Sequence, residues 1–353
     1  MEKFNPNDIG LPNGNFFALP YSVDESEIVL IAVPWDVTTS YRSGTAKAPV
    51  RIIEASSQID LYDVDVKDAW KIKTGTHPYN EEIFIESTEL RKKAEKIIAH
   101  LENGGNVKDI SIANKLSSIN KASEKLNKWI YERAEIYYKE KKITGIVGGD
   151  HSVSFGLIKL LSEKYDNLGI LHIDAHADLR HAYEGFEYSH ASIMYNVITK
   201  CKNISKLVQV GIRDFCNAEA ELIANSDKIS AYTDFYISEQ LFGGEQTWKS
   251  LCNNIVNELP ENVYISFDID GLSPDLCPNT GTPVPGGLSF QQAHYLLLML
   301  AKSGKRIVGF DVCEVAPNPD NDNDEYDANT GARILYKICC LAHLSNIKAI
   351  NSK

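Results

Sequence analysis

The chain has 353 residues, 43% of them hydrophobic and 24% charged, and a formal net charge of −12. A chain of that size buries a sufficient core without disulfides or structural zinc, and an acidic balance with no Lys/Arg-rich block excludes a nucleic-acid partner while suiting a small cationic one. Seven scattered cysteines with no CxxC pair read as reduced thiols. The N-terminal twenty residues lack the apolar stretch of a signal peptide. No apolar run approaches the ~20 residues that span a bilayer, so a cytoplasmic protein with no membrane partner is expected.

The first apolar run is "IVLIAVPW" (28–35). From about 66 to 142 two Lys/Glu-rich amphipathic stretches follow, "ELRKKAEKIIAHLENGG" and "NKLSSINKASEKLNKWIYERAEIYYKEKK", separated by a Gly-rich break. They read as an extended helical layer on the sheet rather than a separate domain. Apolar runs then alternate with helical periodicity: strands at 143–149, 168–174, 207–212, 262–270 and 306–315, helices at 154–164, 190–199, 218–226, 289–303 and 329–343. The runs are near-continuous in Val, Ile and Leu, as in parallel strands buried on both faces. The pattern predicts an α/β fold, a three-layer α/β/α sandwich around a mostly parallel doubly wound sheet, in one domain over 1–353. The segment 316–331 is polar and acidic: a solvated connection, or an acidic rim on which Asp320 or Asp322 meets a distal amine.

The ionisable residues gather at the carboxyl ends of these strands, where open α/β sheets bind ligands. "GGDHS" supplies His151, "LHIDAHADLR" supplies Asp174, His176 and Asp178, "SFDIDG" supplies Asp268 and Asp270, and "DVCEV" supplies Glu314. At strand spacing Asp174, His176 and Asp178 share a face. No Lys or Arg is interleaved to offset the charge, so a metal is the natural counter-ion. Four carboxylates and two imidazoles exceed the needs of one ion and fit two that share bridging carboxylates. Oxygen and nitrogen donors without thiolate favour Mn-like ions over structural zinc.

Taken together, "GGDHS", "DAHAD" and "SFDIDGLSPDLCPNTGTPVPGG" resemble the three signatures of the ureohydrolases, the arginase and agmatinase family, over most of the chain from "VPWDVTTSYRSGT" (33–45) to "GFDVCEVAP" (309–317). The resemblance implies an arginase-like fold, a homo-oligomer (trimer or hexamer), and two Mn2+, with Ni2+ as an alternative if guanidine is the substrate. His151, Asp174, Asp178 and Asp268 would hold one ion and Asp174, His176, Asp268 and Asp270 the other. It further implies cleavage of a small cationic guanidino substrate to urea and an amine, by a water that the two ions acidify.

In that chemistry Asp178 would carry the water's proton to the leaving nitrogen, and Glu314 would pair with the guanidinium. His190 would bind near the substrate and shuttle protons, a task suited to a pKa near 6.5. His172 reads as a group supporting the ligands. "DLRHAYEGFEYSHAS" is similar to the agmatinase branch, because Tyr188 stands where arginases carry an Asn that helps hold the amino-acid head group. Agmatine, giving putrescine, is therefore the leading substrate, with guanidinobutyrate, guanidine or arginine as alternatives. Val284, the turn at Lys47, Ala48 and Pro49, and the extended helices depart from the family pattern. Two other classes fit less well. A haloacid-dehalogenase-type phosphatase would leave "DAHAD" unexplained, and a non-catalytic relative would not need to keep all six ligands.

Overall fold

The computed structural model describes residues 4–351, and among them eight strands form one sheet, in the order β2-β1-β3-β8-β7-β4-β5-β6. In chain order the elements are β1 (Ile28–Val33), α1 (Ala48–Ser56), β2 (Thr74–Thr76), α2 (Glu81–Glu102), α3 (Ile110–Lys139), β3 (Ile143–Gly148), α4 (Phe155–Lys164), β4 (Leu168–Ile173) and α5 (Ile193–Lys200). They continue as β5 (Ile204–Val210), α6 (Asn217–Ala224), β6 (Ile229–Tyr232), α7 (Asp234–Phe242), α8 (Trp248–Glu258), β7 (Asn262–Asp268), α9 (Phe290–Lys302), β8 (Arg306–Cys313) and α10 (Tyr326–Asn351). All neighbouring strands pair in parallel, so the expected mostly parallel sheet is wholly parallel.

The sheet is buried on both faces because its strands send alternate residues to two cores. Along β1, Ile28 and Leu30 join α1, α8, α9 and α10 on one side, while Val29, Ile31 and Val33 join α2, α3, α4 and α5 on the other. The expected helical layer is part of the second core: Ile83, Leu90 and Ile97 of α2 and Ile119, Leu126 and Ile130 of α3 are buried there. Helix α2 starts where Asn80 accepts the N–H of Glu82, with Glu81 and Glu82 complementing the helix dipole in the first turn.

The helical reading of 66–142 is too generous at its start, where residues 66–80 hold a short 3-10 turn and the edge strand β2. The acidic loop is also shorter than expected, because α10 begins at Tyr326. Among the described residues no helix is long and apolar enough to cross a membrane, and all seven cysteines are unpaired.

Candidate metal centre

The carboxyl ends of β3, β4, β7 and β8 meet in the middle of the sheet, and the predicted residues converge there. The Gly-Gly of "GGDHS" is required by close packing: a Cβ on Gly149 would lie 2.1 Å from the carbonyl oxygen of Trp35. Beyond it Asp150 caps the turn by accepting from Ser152 N at 3.1 Å, and His151 points back under the strand ends. Strand β4 ends at Ile173, so residues 174–178 are not the regular strand that their spacing suggests. The chain bends at Ala175, makes a single bridge from His176 to Asp214 and then kinks at Asp178, with φ 54°. Asp174, His176 and Asp178 still converge, while Ala175 and Ala177 are buried on the core side.

Nδ1 of His151 faces Asp178 Oδ2 at 3.1 Å, Asp174 Oδ2 at 3.2 Å and Asp268 Oδ2 at 3.4 Å. None of the three oxygens lies in hydrogen-bonding geometry, and Nδ1 has no other partner although His151 is fully buried. The far side of the ring explains which atom is free. His151 Nε2 is 2.8 Å from Ser266 Oγ, and that hydroxyl donates to Asp311 Oδ2 at 2.9 Å. Ser266 therefore accepts from Nε2–H, which leaves a lone pair on Nδ1 aimed at three carboxylates. Only a cation at their meeting point makes that arrangement favourable. Burial favours a neutral ring, yet Asp174 and Asp178 hold the proton affinity of His151 well above its usual range, so without a metal a proton takes the cation's place on Nδ1 and a bound metal would displace it.

A second group adjoins the first through Asp174. His176 Nδ1 lies 3.0 Å from Asp270 Oδ2 and 3.4 Å from Asp174 Oδ1. Asp268 is tied to this group through Oδ1, which accepts Asp270 N–H at 2.9 Å. His172 supports the centre from behind. Gln209 Nε2 donates both to Ala177 O (2.8 Å) and to His172 Nδ1 (2.9 Å), so the imidazole proton sits on Nε2 and is given to Asp174 Oδ2 at 2.8 Å.

Asp174, Asp178, Asp268 and Asp270 are each at most 5% exposed, with no cation of their own except imidazoles. Burial, then the Asp174 charge, pushes the Asp178 carboxyl up to about 6. Burial, then Asp270 and Asp174, raises Asp268 well above the carboxylate range. Like charges this close cannot all ionise unless cations join them. Two adjacent O/N donor groups sharing Asp174 fit a pair of divalent ions.

Above the centre opens a cleft of about 160 Å³, lined by His176, Asp178, His190, Thr282 and Glu314, by Arg180, Tyr183 and the buried Glu219, and by the exposed Asp214 at its mouth. Glu314 is held in the left-handed region (φ 62°) and accepts His151 N–H through Oε1 at 2.9 Å. Burial, then Asp150, raises its carboxyl well above the usual range. His190 is fixed by Thr38 Oγ1, which accepts its N–H at 3.1 Å, and by Ser40 Oγ, 3.5 Å from Nε2. Burial, then His176, pushes the imidazole down to about 3, so it rests neutral rather than poised at the expected 6.5.

Neither Asp320 nor Asp322 lines the cleft, and Asp322 is paired with Arg51 at 3.0 Å. The acidic group at the mouth is instead the exposed Asp214, whereas Glu219 is buried, accepts the N–H groups of Leu179 and Cys216, and lies 3.6 Å from Arg180. Tyr188 packs on Phe155 and beneath the Lys200 ammonium, outside the cleft. Sequence reasoning does not reach Ser266, Asp311, Gln209 or Arg213. Arg213 braces the loop after β7 by donating to the carbonyls of Asp270 (2.7 Å) and Leu272 (3.1 Å). Their only signal is a polar residue inside or at the end of an otherwise apolar run.

This parallel sheet, with two adjacent His/Asp donor groups at its strand ends, defines a class. Residues 26–340 match the model of the arginase family, and the chain belongs to that family. It is a hydrolase acting on guanidino C–N bonds. An N(1)-aminopropylagmatine ureohydrolase of Thermus thermophilus is 29% identical over 299 residues, 85% of either chain. An agmatinase of Bacillus cereus is 29% identical over 304 residues, 86% of this chain and 88% of its own. The crystal structure of a hypothetical agmatinase from Burkholderia thailandensis superposes with a TM-score of 0.70 at 24% identity, covering 99% of this chain and 94% of that one.

Proposed function

We propose that the protein hydrolyses a small linear guanidino amine, agmatine foremost, to urea and the free amine, with two Mn2+ held by His151, Asp174, His176, Asp178, Asp268 and Asp270. The observation that carries this reading is the lone pair of His151 Nδ1 aimed at three buried carboxylates beneath a cleft that Glu314 and His190 line. When bound, the two ions supply charge that acidifies a water between them towards neutral pH.

The chain's own residues do the rest. Glu314 pairs with the guanidinium, which stays charged near neutral pH, and orients its carbon over the centre. Asp178 takes the proton released by the attacking water and delivers it to the departing nitrogen. His190, at the cleft wall and neutral at rest, takes up a proton only transiently and passes it between the centre and solvent. The balance is one substrate cation plus one water giving urea plus one ammonium.

Tyr188, outside the cleft, offers nothing to an amino-acid head group, which supports a substrate lacking an α-carboxylate. The acidic mouth at Asp214 suits a second positive charge, as on agmatine or its aminopropyl derivative. The test is urea release by manganese-loaded protein at equal concentrations of agmatine, 4-guanidinobutyrate, arginine and guanidine. Agmatine is expected to lead. A preference for guanidine or guanidinobutyrate would overturn the substrate, and no urea from any of the four would overturn the activity.

A further inference from the structure

The helical layer of α2 and α3 grips both loops that meet at His190. We infer that Arg91 and Asn120 are positioning residues for that histidine, an inference that rests on the role given to His190 above.

The first loop follows β1. Ser87 and Arg91 stand one turn apart on α2 and share a face. Ser87 Oγ accepts Asp36 N–H at 3.1 Å. Arg91 Nη1 donates to Val37 O at 3.3 Å and Thr39 Oγ1 at 2.9 Å, and also to Thr39 O. A rigid guanidinium can hold several acceptors at once, which an ammonium does less well. Between the two clamped carbonyls lies Thr38, whose Oγ1 accepts His190 N–H at 3.1 Å and donates to Asp150 Oδ2 at 3.2 Å. One residue beyond the clamp, Ser40 Oγ reaches His190 Nε2 at 3.5 Å.

The second loop carries His190 itself. Ala182, Glu184 and Gly185 have φ of 44°, 55° and 85°, a conformation that two non-glycine residues hold only when their surroundings impose it. Asn120 of α3 supplies the constraint with both ends of its amide. Nδ2 donates to Gly185 O at 3.3 Å and Oδ1 accepts Glu187 N–H at 3.0 Å. Leu116, one turn earlier, leaves no room for a side chain at Gly185, where a Cβ would come within 2.8 Å.

Each helix thus fixes one of the two loops, and His190 is bonded across their junction. A group that moves protons over hydrogen-bond distances loses about 10²-fold when misplaced by 1 Å. On this reading the layer sets the turnover rate without touching the substrate or the metal ligands.

The test compares Arg91→Met, Arg91→Lys and Asn120→Ala in the full-length protein. Hydrogen exchange comes first, because it needs no substrate. Amides in 36–46 (Arg91→Met) and in 183–191 (Asn120→Ala), including His190 N–H, should exchange ~10-fold faster, with β3, β4, β7 and β8 unchanged. With substrate, kcat should fall ~10-fold or more while KM and bound metal hold, and Arg91→Lys should recover part of it. In a His190→Asn background the same substitutions should cost less than ~2-fold, since residues acting through one group are not additive.

Unchanged exchange in both segments overturns the inference, as does faster exchange with full kcat, or the whole loss reappearing on His190→Asn. If Arg91→Met does not fold, Asn120→Ala on the half-buried side of α3 decides alone. If the parent protein releases no urea, the functional reading fails, and the exchange of His190 N–H still decides whether the layer holds it.

Discussion

Ser266 and Asp311 are register partners on β7 and β8, and the hydroxyl of the first donates a hydrogen bond to the carboxylate of the second at 2.9 Å. That hydrogen bond, made on the side of His151 away from the metal centre, makes Ser266 an acceptor and so favours the tautomer with its proton on Nε2 and Nδ1 free to face the carboxylates. Ser266→Ala removes the acceptor for Nε2–H, and Asp311→Asn lets the serine donate to the ring instead. Either change should lower metal affinity ~10–100-fold, measured by titration calorimetry of the metal-free protein. Affinity unchanged in both variants would mean that the tautomer of His151 is set by something else.

Glu314→Gln separates substrate handling from metal binding. The amide oxygen can still accept His151 N–H, so the turn after β8 and both metal equivalents should be retained. The lost charge removes the partner of the guanidinium, and kcat/KM should fall about 10²-fold, in line with breaking a desolvated charge pair. Loss of metal together with activity would instead assign Glu314 to the metal centre.

The carboxylates predict how metal and pH act on stability together. In the metal-free protein Asp178 is raised from 3.8 to about 6, and Asp268 and Glu314 are raised further by burial and by their acidic neighbours. A raised folded pKa stabilises below the unfolded value and loses that contribution as pH climbs through the folded one. The metal-free protein should therefore lose stability from about pH 4 upwards. Cations displace those protons, so the rise in Tm on adding Mn2+ should grow over the same interval. Each site contributes ~2.7 kcal/mol at a hundredfold excess over Kd. Scanning calorimetry with and without metal from pH 4.5 to 7.5 reads it, and a shift in Tm that shrinks as pH rises would contradict the account.

What could be read from the sequence follows from how each feature is encoded. Long buried strands such as β4 and β7 announce themselves by unbroken apolar runs. The edge strands do not: "TGT" of β2 and "ISAY" of β6 are too short and too polar to form an apolar run, because each is paired on one side only. The centre was legible because its donors sit in dense local motifs, each at the end of one strand. The groups that tune it were not, since Gln209 meets His172 through the register of β4 and β5, and Ser266 meets His151 across strands that are not neighbours in the sheet. The acidic rim was sought in 316–331 because charge was concentrated there, but proximity to the cleft is decided by the loop after β5, which carries Asp214.

That displacement gives a discriminating prediction for the substrate. Asp214 is an exposed carboxylate in the cleft mouth, while Asp320 and Asp322 lie outside the cleft and Asp322 is engaged by Arg51. A solvent-screened attraction between unit charges is worth about 1 kcal/mol. Asp214→Asn should therefore raise KM for agmatine ~5-fold and leave that for guanidine, which has no distal charge, unchanged. The double variant Asp320→Asn, Asp322→Asn should change neither. Steady-state urea release with both substrates distinguishes the cases. An agmatine KM that responds to the 316–331 loop and not to Asp214 would place the distal amine outside the mouth described here.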